Sequence, residues 1–117
     1  MSLLLVGTGG FLGAVLRWLL TQKLANQPWD ILVANVAGSL LIGLLLGWPG
    51  EGITEKHRLF LATGLCGGFT TFSTFSLQTL KLLQQGEILV AGLNIALSIV
   101  LCILGAWIGV ALAQKFA

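Results

Sequence analysis

Read from the N-terminus, long apolar runs alternate with short polar interruptions. Four runs stand out, at about 3–24, 31–48, 59–83 and 88–113. Each is long enough to cross a hydrocarbon core of about 30 Å, which takes roughly 17 helical residues or more. The interruptions are turn-like: Asn26-Gln27-Pro28, then Trp48-Pro49-Gly50-Glu51-Gly52, then Gln84-Gln85-Gly86-Glu87. This pattern predicts an all-α membrane protein with four transmembrane helices. It forms a single domain over residues 1–117, with no stretch left over for a soluble one.

Small residues punctuate every run at a four-residue spacing. Gly9 pairs with Gly13, Gly43 with Gly47, Gly64 with Gly68, and Gly105 with Gly109. In lipid, hydrophobicity does not drive helices together, and such pairs let backbones approach closely. Two polar stripes add to this. Asn35, Ser39, Gly43 and Gly47 repeat every four residues in the second run, and Asn94, Ser98 and Cys102 do so in the fourth. Polar groups confined to one stripe face protein or water rather than lipid. They either hydrogen-bond between helices or line a polar path.

The third run carries the least lipid-like stretch, Gly67-Gly68-Phe69-Thr70-Thr71-Phe72-Ser73-Thr74-Phe75-Ser76. Paired glycines weaken a helix, and threonine and serine are middling helix formers. Irregular backbone at membrane depth is tolerated where protein buries it or water borders it. A helix break near Gly67–Thr71 is therefore expected. It would free carbonyl oxygens for a cation and amides for an anion. Phe72 and Phe75 lie three apart and share a face, either as core packing or as rings along an ion path. Ring edges carry partial positive charge and favour a small anion. The hydroxyls of Thr71 and Ser73 flank them as donors.

Composition sharpens the class. The 117 residues are 56% hydrophobic and 9% charged. The first run lacks a basic residue ahead of it and contains Arg17, so it reads as a retained helix and not as a secretory signal. Lys56, Arg58 and Lys115 fall on one side of the membrane; Lys23 and Lys81, with Arg17, fall on the other. Orientation follows such a bias, and here the bias is nearly absent, which permits insertion both ways. Cys66 and Cys102 sit at membrane depth and read as small core residues without a disulfide. No basic cluster supports nucleic-acid binding. His57, the sole histidine, falls in a loop, and no catalytic set lies at membrane depth, so an enzyme is not expected.

Three stretches resemble the Fluc-type fluoride channels, a family of small bacterial exporters once grouped under camphor resistance. They are Gly9-Gly10-Phe11-Leu12-Gly13-Ala14-Val15-Leu16-Arg17, Asn35-Val36-Ala37-Gly38-Ser39, and Gly64-Leu65-Cys66 continuing through Ser76. The resemblance implies a passive fluoride channel in the bacterial inner membrane, built as an antiparallel, dual-topology homodimer with two pores. It assigns the pore to Phe72, Phe75 and Asn35, with Ser98, Cys102 and Asn94 as a polar track and Gln78 near a vestibule. Arg17 would stand near the aqueous vestibule. A structural sodium ion at the dimer centre would bind the backbone carbonyls of Gly67 and Thr70. Cys102 departs from the family if a hydroxyl is usual there, since a thiol donates weakly.

Two other readings compete. A small dual-topology multidrug/proton antiporter needs an ionisable group at membrane depth, whereas Asp30, Glu51, Glu55 and Glu87 all fall at loops or helix ends. A non-transporting scaffold explains the glycine pairs and leaves the 67–76 stretch without a purpose.

Overall fold

The computed structural model describes residues 1–24 and 29–116. The Asn26-Gln27-Pro28 turn lies outside the described residues. Helix α1 spans Ser2–Lys23 and α2 spans Asp30–Gly47. A helical stretch over 55–69, α3, joins three pieces: one turn Glu55–His57, a wide π-helical segment Arg58–Cys66, and a last turn Gly67–Phe69. Helix α4 spans Phe72–Gln84 and α5 spans Ile88–Phe116. Among the described residues no strand occurs.

Among the described residues three helices, α1, α2 and α5, are long and apolar enough to cross a membrane. The third expected span is divided into α3 and α4, neither of which is that long and apolar. The division falls at Thr70 and Thr71, both extended (φ −91°, ψ 154° and φ −153°, ψ 124°). Gly67 and Gly68 are themselves helical, so the break lies at the hydroxyl pair and not at the glycines. Thr71 explains the position. Its Oγ1 accepts from the Thr74 amide at 3.2 Å and caps the start of α4.

Helix ends otherwise follow local chemistry. The last turn of α4 closes with Gly86 at φ 80°. Glu87 N–H donates to Leu82 O and Gly86 N–H to Leu83 O, a termination that needs a left-handed residue. Thr54 caps α3, and His57 returns the bond by accepting from the Thr54 amide at 3.1 Å. The exposed histidine is thus a capping residue on the first turn of α3, not a free loop side chain. Helix α5 runs on to Phe116, past the apolar boundary expected at Ala113. Backbone hydrogen bonding continues where hydrophobicity stops, and Lys115 stands over the Phe116 ring. At roughly 1.5 Å per residue, α5 is about 43 Å long.

Glycine decides the packing. Helix α1 lies on α3 with Gly9 and Gly13 against Gly64 and the 65–69 backbone. A methyl group at Gly13 would overlap Leu65 O and sit 2.8 Å from Phe69 N. Helix α2 lies on α5 the same way: Gly43 against Ala106, Gly47 against Val110, and Gly109 against the 40–44 backbone. The expected pairs therefore act between specific helices. The small buried cluster of Leu45, Ala62 and Cys66 joins α2 to α3. Both cysteines are free thiols, Cys66 buried in this cluster and Cys102 half-buried. Most large apolar side chains, such as Leu3, Phe11, Ile103 and Trp107, point outward, as in a protein solvated by lipid.

Replacing Gly13 with valine is expected to destabilise the fold by at least about 2 kcal/mol, because the obstruction is backbone and cannot swing aside. Gly7→Ala, inside α1 at a position with open space, should not lower stability, since alanine is the better helix former. Unfolding titrations in detergent compare the two.

Candidate functional site

The break at Thr70–Thr71 removes helical partners from several peptide groups, and other helices replace them. Asn35 on α2 does so as a pair: its Oδ1 accepts from Thr71 N at 2.8 Å and its Nδ2 donates to Thr71 O at 3.2 Å. The carboxamide thus occupies both hydrogen-bonding groups of one peptide residue, as a neighbouring strand would. Arg17 on α1 donates through Nη1 to Gly68 O at 3.0 Å and to Thr70 O at 3.3 Å. Its guanidinium is drawn to the carbonyl end of α3, which carries partial negative charge. Arg17 therefore braces the break. Thr70 closes the end of α3 on itself, giving both its N–H and its Oγ1 to Cys66 O.

Beside the break lies a groove of about 700 Å³ between α2, α3, the start of α4, and α5. It gathers Asn35, Gly67, Thr70, Thr71, Phe72, Phe75, Ser98 and Cys102 from the residues singled out in the sequence. The Phe72 and Phe75 rings touch, with centroids 5.3 Å apart and planes tilted by 48°. They differ in exposure: Phe75 is 9% exposed and Phe72 77%. Among the described residues no charged side chain lines the groove. Ser98 is buried, and its hydroxyl has no partner among the described residues. Cys102 follows one turn later and offers only a thiol, a weak donor.

Other residues of the sequence reading lie elsewhere. Ser73 is exposed and joins the cap of α4, its Oγ 3.1 Å from Thr71 Oγ1. Gln78 and Asn94 form a separate polar cluster. Gln78 Nε2 donates to Asp30 Oδ1 at 2.7 Å. Asn94 Nδ2 lies 3.4 Å from Gln78 Oε1 and 3.2 Å from Thr79 Oγ1. Asn94 is fully buried, and its Oδ1 has no partner among the described residues. Asp30 and Thr79 were not foreseen as site residues. Asp30 read as a helix-end charge, and only its contact with Gln78, 48 residues away, gives it a place here.

The Asn35 stripe divides along its length. Asn35 and Ser39 line the groove, whereas Gly43 and Gly47 pack on α5. A four-residue step turns about 40° beyond a full revolution of the helix, so a stripe drifts onto a second face within three steps.

Comparison with known proteins adds an independent observation. Residues 4–110 match the family described as CrcB-like protein, Camphor Resistance. Among curated relatives, a protein of Methylocella silvestris is 48% identical, with 93% of this chain and 90% of the relative covered. One from Rhodospirillum rubrum is 43% identical over 93% of this chain and 92% of its own. One from Campylobacter jejuni subsp. jejuni is 47% identical over 92% and 93%. Each relative is named a fluoride-specific ion channel.

Replacing Asn35 with leucine strands both the N–H and the C=O of Thr71, which are part-buried, at up to about 1–3 kcal/mol for each group. The expected signature is local: hydrogen exchange at the Thr71 amide should accelerate roughly tenfold or more, while the amides of α5 keep their protection.

Proposed function

Because the chain belongs to the CrcB-like, camphor-resistance family, we propose that it is a fluoride-selective channel that lets the ion leave the cytoplasm passively. It is a channel and not an enzyme. The observation that carries the reading is the groove, which sets aromatic rings and hydroxyls together without a charged side chain. An anion there meets ring edges, the Ser98 hydroxyl and the positive N-terminal end of α4. None of these is a full charge that would hold the ion fast. Conduction requires binding that is favourable enough to admit an ion and weak enough to release it. Fluoride holds its water strongly, so closely spaced donors must replace that water along the path.

The pore residues in this reading are Phe72, Phe75, Asn35, Thr71, Ser98 and Cys102. Asn94 and Gln78 flank them, Ser73 supports the cap, and Arg17 braces the break. The membrane potential, negative inside, supplies about 2.3 kcal/mol per charge per 100 mV for export. A bacterial inner membrane provides that potential.

The working unit is an antiparallel homodimer with two pores. Supporting this are the side-open groove, the 77% exposure of Phe72 at its edge, and the near balance of positive charge between the two sides. A second copy would close each groove.

A sodium ion at the centre of such a dimer fits the oxygens present. The Thr71 amide goes to Asn35 and the Thr74 amide to the Thr71 hydroxyl. The carbonyls of Gly67 and Thr70 thus lose the donors that a continuous helix would supply. Unwound carbonyls of this kind suit sodium. The same two carbonyls from each copy would hold the ion, and its role is to tie the breaks together. Arg17 already places positive charge on Thr70 O, so the carbonyl can serve both cations only through separate lone pairs.

Proteoliposomes holding the purified protein should release fluoride, read with a fluoride electrode, far faster than chloride. Phe72→Ile with Phe75→Ile should reduce release to the protein-free level. Comparable chloride release, or full activity in the double variant, would remove the proposal. Assembly has its own readout. Single cysteines placed at Ser2 and Gly86, in a background without Cys66 and Cys102, should each be labelled from both faces of the membrane. Labelling from one face alone contradicts dual topology.

A further inference from the structure

The cluster beyond Phe75 has one member whose hydrogen-bonding sense is fixed. Carboxamides and hydroxyls can donate or accept, but an ionised carboxylate only accepts. Asp30, the first residue of α2, accepts through Oδ1 from its neighbour Ile31 N and from Gln78 Nε2, both at 2.7 Å. Its sense sets the next. With Nε2 turned to Asp30, Gln78 faces Asn94 with Oε1, and Asn94 must donate to it. Thr79 works the same way from the other side. Its hydroxyl donates to Phe75 O at 2.8 Å and so accepts from Asn94. Both amide hydrogens of Asn94 are then engaged, and its Oδ1 is left as a buried acceptor. One turn further along α5 is Ser98, on the groove.

The amide donors beside the groove residues Phe75 and Ser98 are therefore all engaged within the cluster. We propose that Asp30 is a positioning residue that holds the Gln78 carboxamide, and through it half of Asn94, back from the anion path. The inference rests on the channel reading above. Its consequence concerns how tightly the anion is held. With Asp30 present, a passing anion meets the Ser98 hydroxyl and no free carboxamide N–H here. Without Asp30, Gln78 Nε2 is released, and a freed amide N–H is a good anion ligand. The ion binds more tightly and leaves more slowly. Asp30 thus sets the balance between entry and release.

Fluoride efflux from proteoliposomes, measured against fluoride concentration, gives a half-saturating concentration and a maximal rate. Asp30→Ala is expected to lower both, by about tenfold, the scale of one hydrogen bond to an anion. A variant that merely folds poorly lowers only the maximal rate. Asp30→Asn keeps an Oδ1 acceptor and should stay near the unmodified half-saturation. In a Gln78→Leu background no amide is left to release, so adding Asp30→Ala should no longer move the half-saturating concentration. An unchanged half-saturation in Asp30→Ala overturns the proposal. So does an Asp30→Asn variant that matches Asp30→Ala, or an Asp30→Ala effect that persists without Gln78; either result would make charge the operative property. Absence of fluoride efflux from the unmodified protein would instead overturn the channel reading itself.

Discussion

A peptide group at membrane depth must be bonded within the protein, since lipid offers it nothing. Thr70 and Thr71 are the place where this constraint is hardest to meet. Their extended backbone interrupts the third span and strips helical partners from the groups on either side. Asn35 restores both groups of Thr71, and Arg17 takes the carbonyls of Gly68 and Thr70. The Thr71 hydroxyl then starts α4. Everything that gives the groove its chemistry follows: the phenylalanines enter on the first turn of α4, beside hydroxyls and against α5.

That arrangement works only if α1 and α2 stand close enough to deliver their side chains. The glycine contacts supply the closeness. Gly9 and Gly13 set α1 directly on the α3 backbone, which lets Arg17, one turn past Gly13, reach the end of α3. The contact of α2 with α5 through Gly43, Gly47 and Gly109 does the same for the other half of the groove. Packing and function are therefore not separate uses of the small residues. A larger residue in either seam would move a polar partner of the break or a wall of the groove.

Polarity is handled by pairing rather than by charge. Among the described residues no charged side chain lines the groove. Arg17 is spent on carbonyls, and Asp30 on an amide of its own helix and on Gln78. What remains along the groove is weakly polar: aromatic rings, hydroxyls, a thiol and a helix end. Family membership gives that set a meaning, since the relatives are named for fluoride.

The sequence by itself determined the helical spans, the glycine pairs and the region of the break. These are local: apolar run length, four-residue spacing and turn chemistry can be read without knowing what lies opposite. It also brought out the residues that gather in the groove, largely through the 67–76 stretch and its resemblance to a family. Within the expected Gly67–Thr71 window it left open which residues turn the chain, because glycine is the stronger helix breaker in isolation. In the folded chain Gly67 and Gly68 stay helical, and Thr71 caps instead. Only the tertiary structure decided the partners. Asn35 meets Thr71 across 36 residues and Arg17 meets Thr70 across 53. Asp30 became more than a helix-end charge only when α4 brought Gln78 to it. Hydrogen-bond sense is likewise a property of the assembled set, because an amide or a hydroxyl takes its direction from whichever neighbour the fold supplies.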